Sequence, residues 1–180
     1  MQQSPLGCDV AGVDLSPSYV KRAQDRASGC GAFVQADMSV LPFTGSFDAV
    51  ICWFISLGYY SEQFDEAFLM ETARCLRIGG LLVVEAVSPI GMVMTKANTR
   101  GESTEETWVD NSLMSLHLTY DPVGGKNNVA RVIVRDGVVR RHSFSARLYS
   151  PKELSGMLER CGFEVKRVVN RLRALMCGGV

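Results

Sequence analysis

Two carboxylates stand where a bound nucleotide can use them. Asp14 closes the apolar run "CDVAGVD", and Asp37 follows the run "AFVQA". An acid at the carboxyl end of a strand in an open α/β sheet can accept both hydroxyls of a ribose, and Asp14 is placed for that. Asp37 repeats the arrangement one run later, where a carboxylate can receive an exocyclic adenine amine. The stretches "FDAVICWF" and "GGLLVVEAV" supply apolar neighbours for a base. Asp14 also has a plainer role, since an acid ahead of a helix favours the positive end of its dipole. Two acids at successive strand ends favour the nucleotide.

Groups able to move a proton are few. His117, His142, Tyr59, Tyr60, Glu85 and Tyr149 are the candidates, and each also fits a structural role, so no catalytic residue is assigned. Arg147 and Tyr149, just ahead of a helix, are placed to shape a pocket. The six cysteines include no CxxC pair, and neither histidine lies near a cysteine in sequence. They read as core thiols in a reducing cytoplasm, with no metal site expected.

The elements that must position these groups come in two styles. Up to residue 89 strands and helices alternate. Ser16 caps a helix with Pro17 at its first position, stopped by Gly29 to Gly31. "FDAVICWF" is continuously apolar, as a buried parallel strand is. Ser61 opens a second helix with Phe64, Ala67, Phe68 and Cys75 at helical spacing; "RIGG" ends it, and "LLVVEAV" is the next strand. Strands separated by helices imply a mostly parallel, Rossmann-like sheet with helices on both faces. Residues 90 to 112 read as a polar surface excursion. Three alternating segments follow, "LMSLHLTY", "NVARVIVR" and "VVRRHSFSAR", the last two joined by the hairpin dipeptide Asp136-Gly137. They predict an antiparallel meander inserted before the last helix. "SPKE" from Ser150 is a capping box opening that helix, which stops at Gly162, and "FEVKRVV" reads as a closing strand.

The stretches "VAGVDLSPSYVKRA", "FVQADMSVLPFTGSFDAVICWF", "ARCLRIGGLLVVEAVSP" and "ARLYSPKELSGMLERCGFEV", in that order, resemble the class I S-adenosylmethionine-dependent methyltransferases, especially those acting on small molecules. The resemblance covers roughly residues 8 to 170. It implies that Asp14 binds the ribose of S-adenosylmethionine, that Leu15 packs on adenine, and that Asp37 and the backbone of Met38 read the adenine edge. It places Cys52, Trp53 and Phe54 near the methionine part and the transferred methyl. The acceptor side is expected from Tyr59, Tyr60, Arg147 and Tyr149, with residues 90–147 an acceptor-side insertion whose meander, residues 113 to 147, roofs the carboxyl ends of the parallel strands. All 180 residues are expected to form one methyltransferase-like domain.

Only nine residues precede Val10, too few for the first strand and glycine-rich turn of that family. The expectation is therefore an N-terminally incomplete form, self-associating through exposed sheet edges. Two other functions compete. A nicotinamide-dependent Rossmann oxidoreductase would want G-x-G-x-x-G before Asp14, and none is present. A non-catalytic remnant would act as a binding or dimerisation module. Nineteen basic residues balance nineteen acidic ones, which argues against a nucleic-acid partner. No apolar run approaches the ~20 residues of a membrane span. A small-molecule methyl acceptor is the partner expected.

Overall fold

The computed structural model describes residues 7–27, 29–53, 56–91, 102–109 and 111–169. The chain divides into two compact units, Met1–Val50 with Gln63–Leu82, and Ile51–Glu62 with Val83–Val180.

In the first unit β1 (Ala11–Asp14) leads through α1 (Pro17–Arg26) to β2 (Ala32–Gln35), and the two strands pair in parallel with Asp14 opposite Gln35. Gly12 lies opposite Phe33, and a methyl group there would come within 2.7 Å of the Phe33 ring. Only a residue without a side chain lets that ring lie across the strand. Ser16 is the N-cap of α1, as its position before Pro17 predicts, but its side chain makes no capping bond. The carboxylate of Asp14 instead holds the cap residue's own backbone, accepting from Ser16 N at 2.7 Å.

Next come β3 (Phe47–Cys52), α2 (Glu62–Cys75) and β4 (Leu76–Val84), with β3 and β4 hydrogen-bonded as a pair. The buried side of α2 is Asp65, Phe68, Leu69, Thr72 and Cys75. That face is rotated from the one the apolar residues predict, and it takes in two polar side chains. Thr72 is accommodated because its hydroxyl donates to Phe68 O one turn back, at 2.9 Å.

Two expectations about these strands are corrected. The run through Phe54 was expected to be a buried strand; β3 ends at Cys52, and Ile51 is 66% exposed. Burial of an apolar strand depends on what covers it, and among the described residues β4 is its only strand neighbour. "RIGG" lies inside β4 and does not precede it, with Gly79 at φ +79°. The helix stops earlier because Arg74 O and Cys75 O accept from Gly45 N and Ser46 N, at 2.9 and 2.8 Å, which turns the chain out at Cys75.

The second unit is built on a four-stranded antiparallel sheet, β5 (Glu102–Val109), β6 (Ser112–Asp121), β7 (Lys126–Arg135) and β8 (Val138–Arg147), in that spatial order. The meander therefore has one strand more than expected, and β5 occupies part of the segment read as a surface excursion. "ESTEETWV" gave no hydrophobic signal because seven of its eight residues are exposed. Pairing with β6 along its whole length makes it a strand. The β7–β8 turn has Asp136 at φ +51° and Gly137 at φ +76°. Two positive φ values are those of the type I′ turn that the dipeptide predicts.

The last helix, α3 (Pro151–Arg160), opens with the predicted capping box, Ser150 Oγ accepting from Glu153 N and Glu153 Oε2 accepting from Ser150 N. Residues 163–169, read as a closing strand, carry no strand pairing among the described residues. An apolar alternating run becomes a strand only where a ladder partner is available.

Candidate functional site

The two acids sit as the sequence places them, one at the end of β1 and one beyond the end of β2, both exposed. Each is held by a short local bond. Asp14 Oδ1 accepts from Ser16 N, and Asp37 Oδ1 accepts from Ser39 N at 2.8 Å and Ser39 Oγ at 2.7 Å. Those bonds, the backbone one first, hold the Asp37 carboxyl below its ordinary value. Among the described residues nothing donates to the second oxygen of either acid. Each thus presents one oriented, unengaged acceptor, which is what a ribose hydroxyl or an adenine amine requires. Leu15 beside Asp14 is 58% exposed, an apolar surface available to a base. Met38 is half-buried.

A cluster the sequence did not single out anchors the loop that follows Asp37. Arg74 Nε and Nη2 grip Glu71 at 2.9 and 2.6 Å, while Nη1 donates to Phe43 O at 2.7 Å and Nη2 to Leu41 O at 2.6 Å. Glu71 in turn accepts from Leu41 N at 2.8 Å. The hydrogen bonds from Arg74, then that from Leu41, bring the Glu71 carboxyl down to about 2. Glu71 raises the Arg74 guanidinium in return. Beside them Cys75 Sγ donates to Phe43 O, and burial pushes its thiol up. The visible signal was Glu71 and Arg74 at i,i+3, which reads as an ordinary surface pair on a helix.

In the second unit, residues far apart in sequence converge. Cys52 is buried and its carbonyl accepts from Glu85 N at 2.9 Å; Trp53 is 48% exposed. Phe54 lies outside the described residues. Gly58, at φ +91°, accepts from Arg147 N at 2.8 Å, and the Tyr59 ring packs on Phe144 at 5.6 Å. Tyr60 is exposed.

Arg147 has several partners: Nη1 donates to Leu148 O at 2.7 Å and Gly125 O at 3.2 Å, Nη2 to Glu153 Oε1 at 2.6 Å, and its guanidinium lies 5.4 Å from the centre of the Tyr149 ring. Tyr149 is buried. Tyr59, Arg147 and Tyr149 thus belong to one junction, in which Arg147 organises backbone. His117 meets Thr104 Oγ1 at 3.2 Å and His142 is exposed; the two border shallow depressions on opposite faces of the four-stranded sheet. Among the described residues no cluster of metal-ligating side chains forms.

Comparison with known proteins bears on the fold. The sequence model of a methyltransferase-domain family matches residues 1–80. A crystal structure of an S-adenosylmethionine-dependent methyltransferase from Clostridium acetobutylicum superposes with a TM-score of 0.74 at 17% identity, covering 91% of this chain and 67% of that one. The fold is that of the S-adenosylmethionine-dependent methyltransferases. The CcbJ methyltransferase of Streptomyces caelestis gives 0.72 at 19% identity, covering 87% of this chain and 64% of that one. CalS10, an amino pentose methyltransferase from Micromonospora echinaspora solved with S-adenosylmethionine bound, gives 0.63 at 18%, covering 86% and 65%. The chain spans about two thirds of the length of these proteins. No curated protein sequence matches it. The methyltransferase fold accounts for the alternation of the first unit, and the antiparallel sheet precedes the last helix among the described residues, as expected. No helix among the described residues is long and apolar enough to cross a membrane.

Proposed function

We propose that the protein transfers a methyl group from S-adenosylmethionine to a small-molecule acceptor. The observation that carries this reading is the pair of exposed carboxylates, at the end of β1 and just beyond β2, each with one oxygen engaged locally and the other without a donor among the described residues, in a methyltransferase fold. In this reading Asp14 accepts the ribose hydroxyls, Leu15 packs on the adenine, and Asp37 with the Met38 backbone reads the adenine edge. Cys52, Trp53 and Phe54 are assigned to the methionine end, and Tyr59, Tyr60, Arg147 and Tyr149 to the acceptor side. Together the 180 residues act as one methyltransferase-like domain.

The bound sulfonium supplies an already activated methyl. What remains for the protein is alignment of the acceptor and exclusion of water. An oxygen or nitrogen nucleophile forms the new bond to carbon as the carbon–sulfur bond breaks, and its proton leaves to a base or to solvent. Asp14 and Asp37 fix the nucleoside, so that the methyl is presented along one line. The amino pentose acceptor of CalS10 exemplifies the class of small molecule intended. A reducing cytoplasm suits a chain whose six cysteines include no CxxC pair.

The test is calorimetric titration with S-adenosylmethionine, beside transfer of a labelled methyl to a panel of amino sugars. Loss of hydrogen bonds in Asp14→Ala should weaken cofactor binding at least about tenfold, or about 1.5 kcal/mol. Equal affinity of variant and parent would remove Asp14 from the site, and absence of binding by the parent would sink the function.

A further inference from the structure

Four exposed apolar side chains gather at one end of the antiparallel sheet, two on each edge. Trp108 and Val109 on β5 are 72% and 50% exposed, and Val138 and Val139 on β8 are 56% and 44% exposed. Folded proteins usually blunt sheet edges, because unpaired backbone groups beside apolar side chains invite another strand. Among the described residues no strand pairs with the outer edge of β5 or of β8. The Gly58 carbonyl reaches β8 at Arg147, beyond the stretch at issue.

The two edges also carry opposite charge. β5 holds Glu102, Glu105 and Glu106 and no base, while β8 holds Arg140, Arg141, His142 and Arg147 and no acid. The registers align these groups across the sheet. Glu105, Leu116, Arg131 and His142 form one row; Glu106, Ser115, Val132 and Arg141 the next; Trp108, Leu113, Val134 and Val139 another. Three successive antiparallel pairings leave β8 antiparallel to β5. A second copy laid beside the first, in the same orientation and without slipping, continues each row. His142 then meets Glu105 of the next copy, Arg141 meets its Glu106, and Val139 meets its Trp108.

We propose that copies of this chain associate head to tail through β8 of one and β5 of the next in that register. Other pairings are opposed by the same residues. Two β8 edges would set arginines against arginines, and two β5 edges glutamates against glutamates, and like charges directly opposite destabilise a pair. A slip of two residues brings Val139 against Glu106 in one direction, or Arg141 against Trp108 in the other. Charge alone would only guard the edges. The apolar residues, falling in the same rows, make the guarded edge a selective one.

Sedimentation velocity of the full chain over a range of concentrations tests this. Association should weaken by at least roughly tenfold in Arg141→Glu and in Glu106→Arg, each of which meets like charge. An equimolar mixture of the two variants should recover association, because the altered β8 of one suits the altered β5 of the other. Separately, Trp108→Cys protein mixed with Val139→Cys protein should form the 108–139 disulfide under mild oxidation, mapped by mass spectrometry. A mixture of Val109→Cys and Val139→Cys, whose side chains point to opposite faces, should not. A chain monomeric up to about 1 mM, a scale of only ~4 kcal/mol, would overturn the proposal. So would association indifferent to both reversals, or cross-linking equal in the two cysteine mixtures.

Discussion

The two units each contain an arginine–glutamate clamp on backbone carbonyls, and the clamps differ in the distance from which their parts are drawn. In the first unit Glu71 and Arg74 sit one turn apart on α2, but they hold Leu41 and Phe43, about thirty residues earlier. In the second, Arg147, Ser150 and Glu153 lie within seven residues, and the capping box they extend is a local motif. Only its links to Gly125 and Gly58 are long-range. A clamp made of tertiary contacts should fail with the core beneath it. A clamp built on a local cap should survive more, and depend instead on whether two backbones can approach.

The largest effect expected is therefore in the core under α2. Leu69 is fully buried, and Leu69→Ala should cost about 2–5 kcal/mol through lost burial and the cavity left behind. Chemical denaturation gives the value, and a loss under about 1 kcal/mol would mean that α2 is not the anchor described.

The next effect separates approach from backbone strain. Gly45 and Gly58 both have positive φ, +53° and +91°. A methyl at Gly45 would meet nothing within 4 Å, whereas one at Gly58 would overlap the Arg147 carbonyl. Gly45→Ala should cost about 1–2 kcal/mol, the left-handed penalty alone. Gly58→Ala should exceed it by about 1–3 kcal/mol from overpacking. Equal costs would show that the second clamp does not need the close approach.

The smallest effect distinguishes the clamps by charge. Glu71→Gln should lose about 1–2 kcal/mol at neutral pH, since it weakens charged hydrogen bonds to Arg74 and Leu41. Ser150→Ala, removing half of the capping box, should lose about 1 kcal/mol. Their pH dependence carries the sign. Glu71 titrates at about 2 in the fold against an ordinary 4.5, so its contribution is present above 4.5 and lost as pH falls through 2. Glu153 is also lowered, by Ser150 and then Arg147, and loses its contribution below its ordinary value in the same direction. The stability gap between parent and Glu71→Gln should thus narrow steadily in acid. A gap unchanged between pH 6 and pH 3 would contradict the charge assignment.

How much could be read before folding follows from the same contrast. Pro17 behind Ser16, Asp136-Gly137 and the "SPKE" box each state a local conformation, closed by bonds within a few residues, and each is found where it is written. The strand-end positions of Asp14 and Asp37 were legible for the same reason, because a strand followed by a helix start is a local pattern. The tertiary structure alone decided that "ESTEETWV" is a strand, since its partner β6 supplies the ladder that its exposed side chains do not announce. It decided that α2 buries Asp65 and Thr72, that Arg74 reaches back to Phe43, and that Gly58 lies against Arg147. Those contacts close loops of tens of residues, and nothing at either end of such a loop specifies its partner until the core brings the two together.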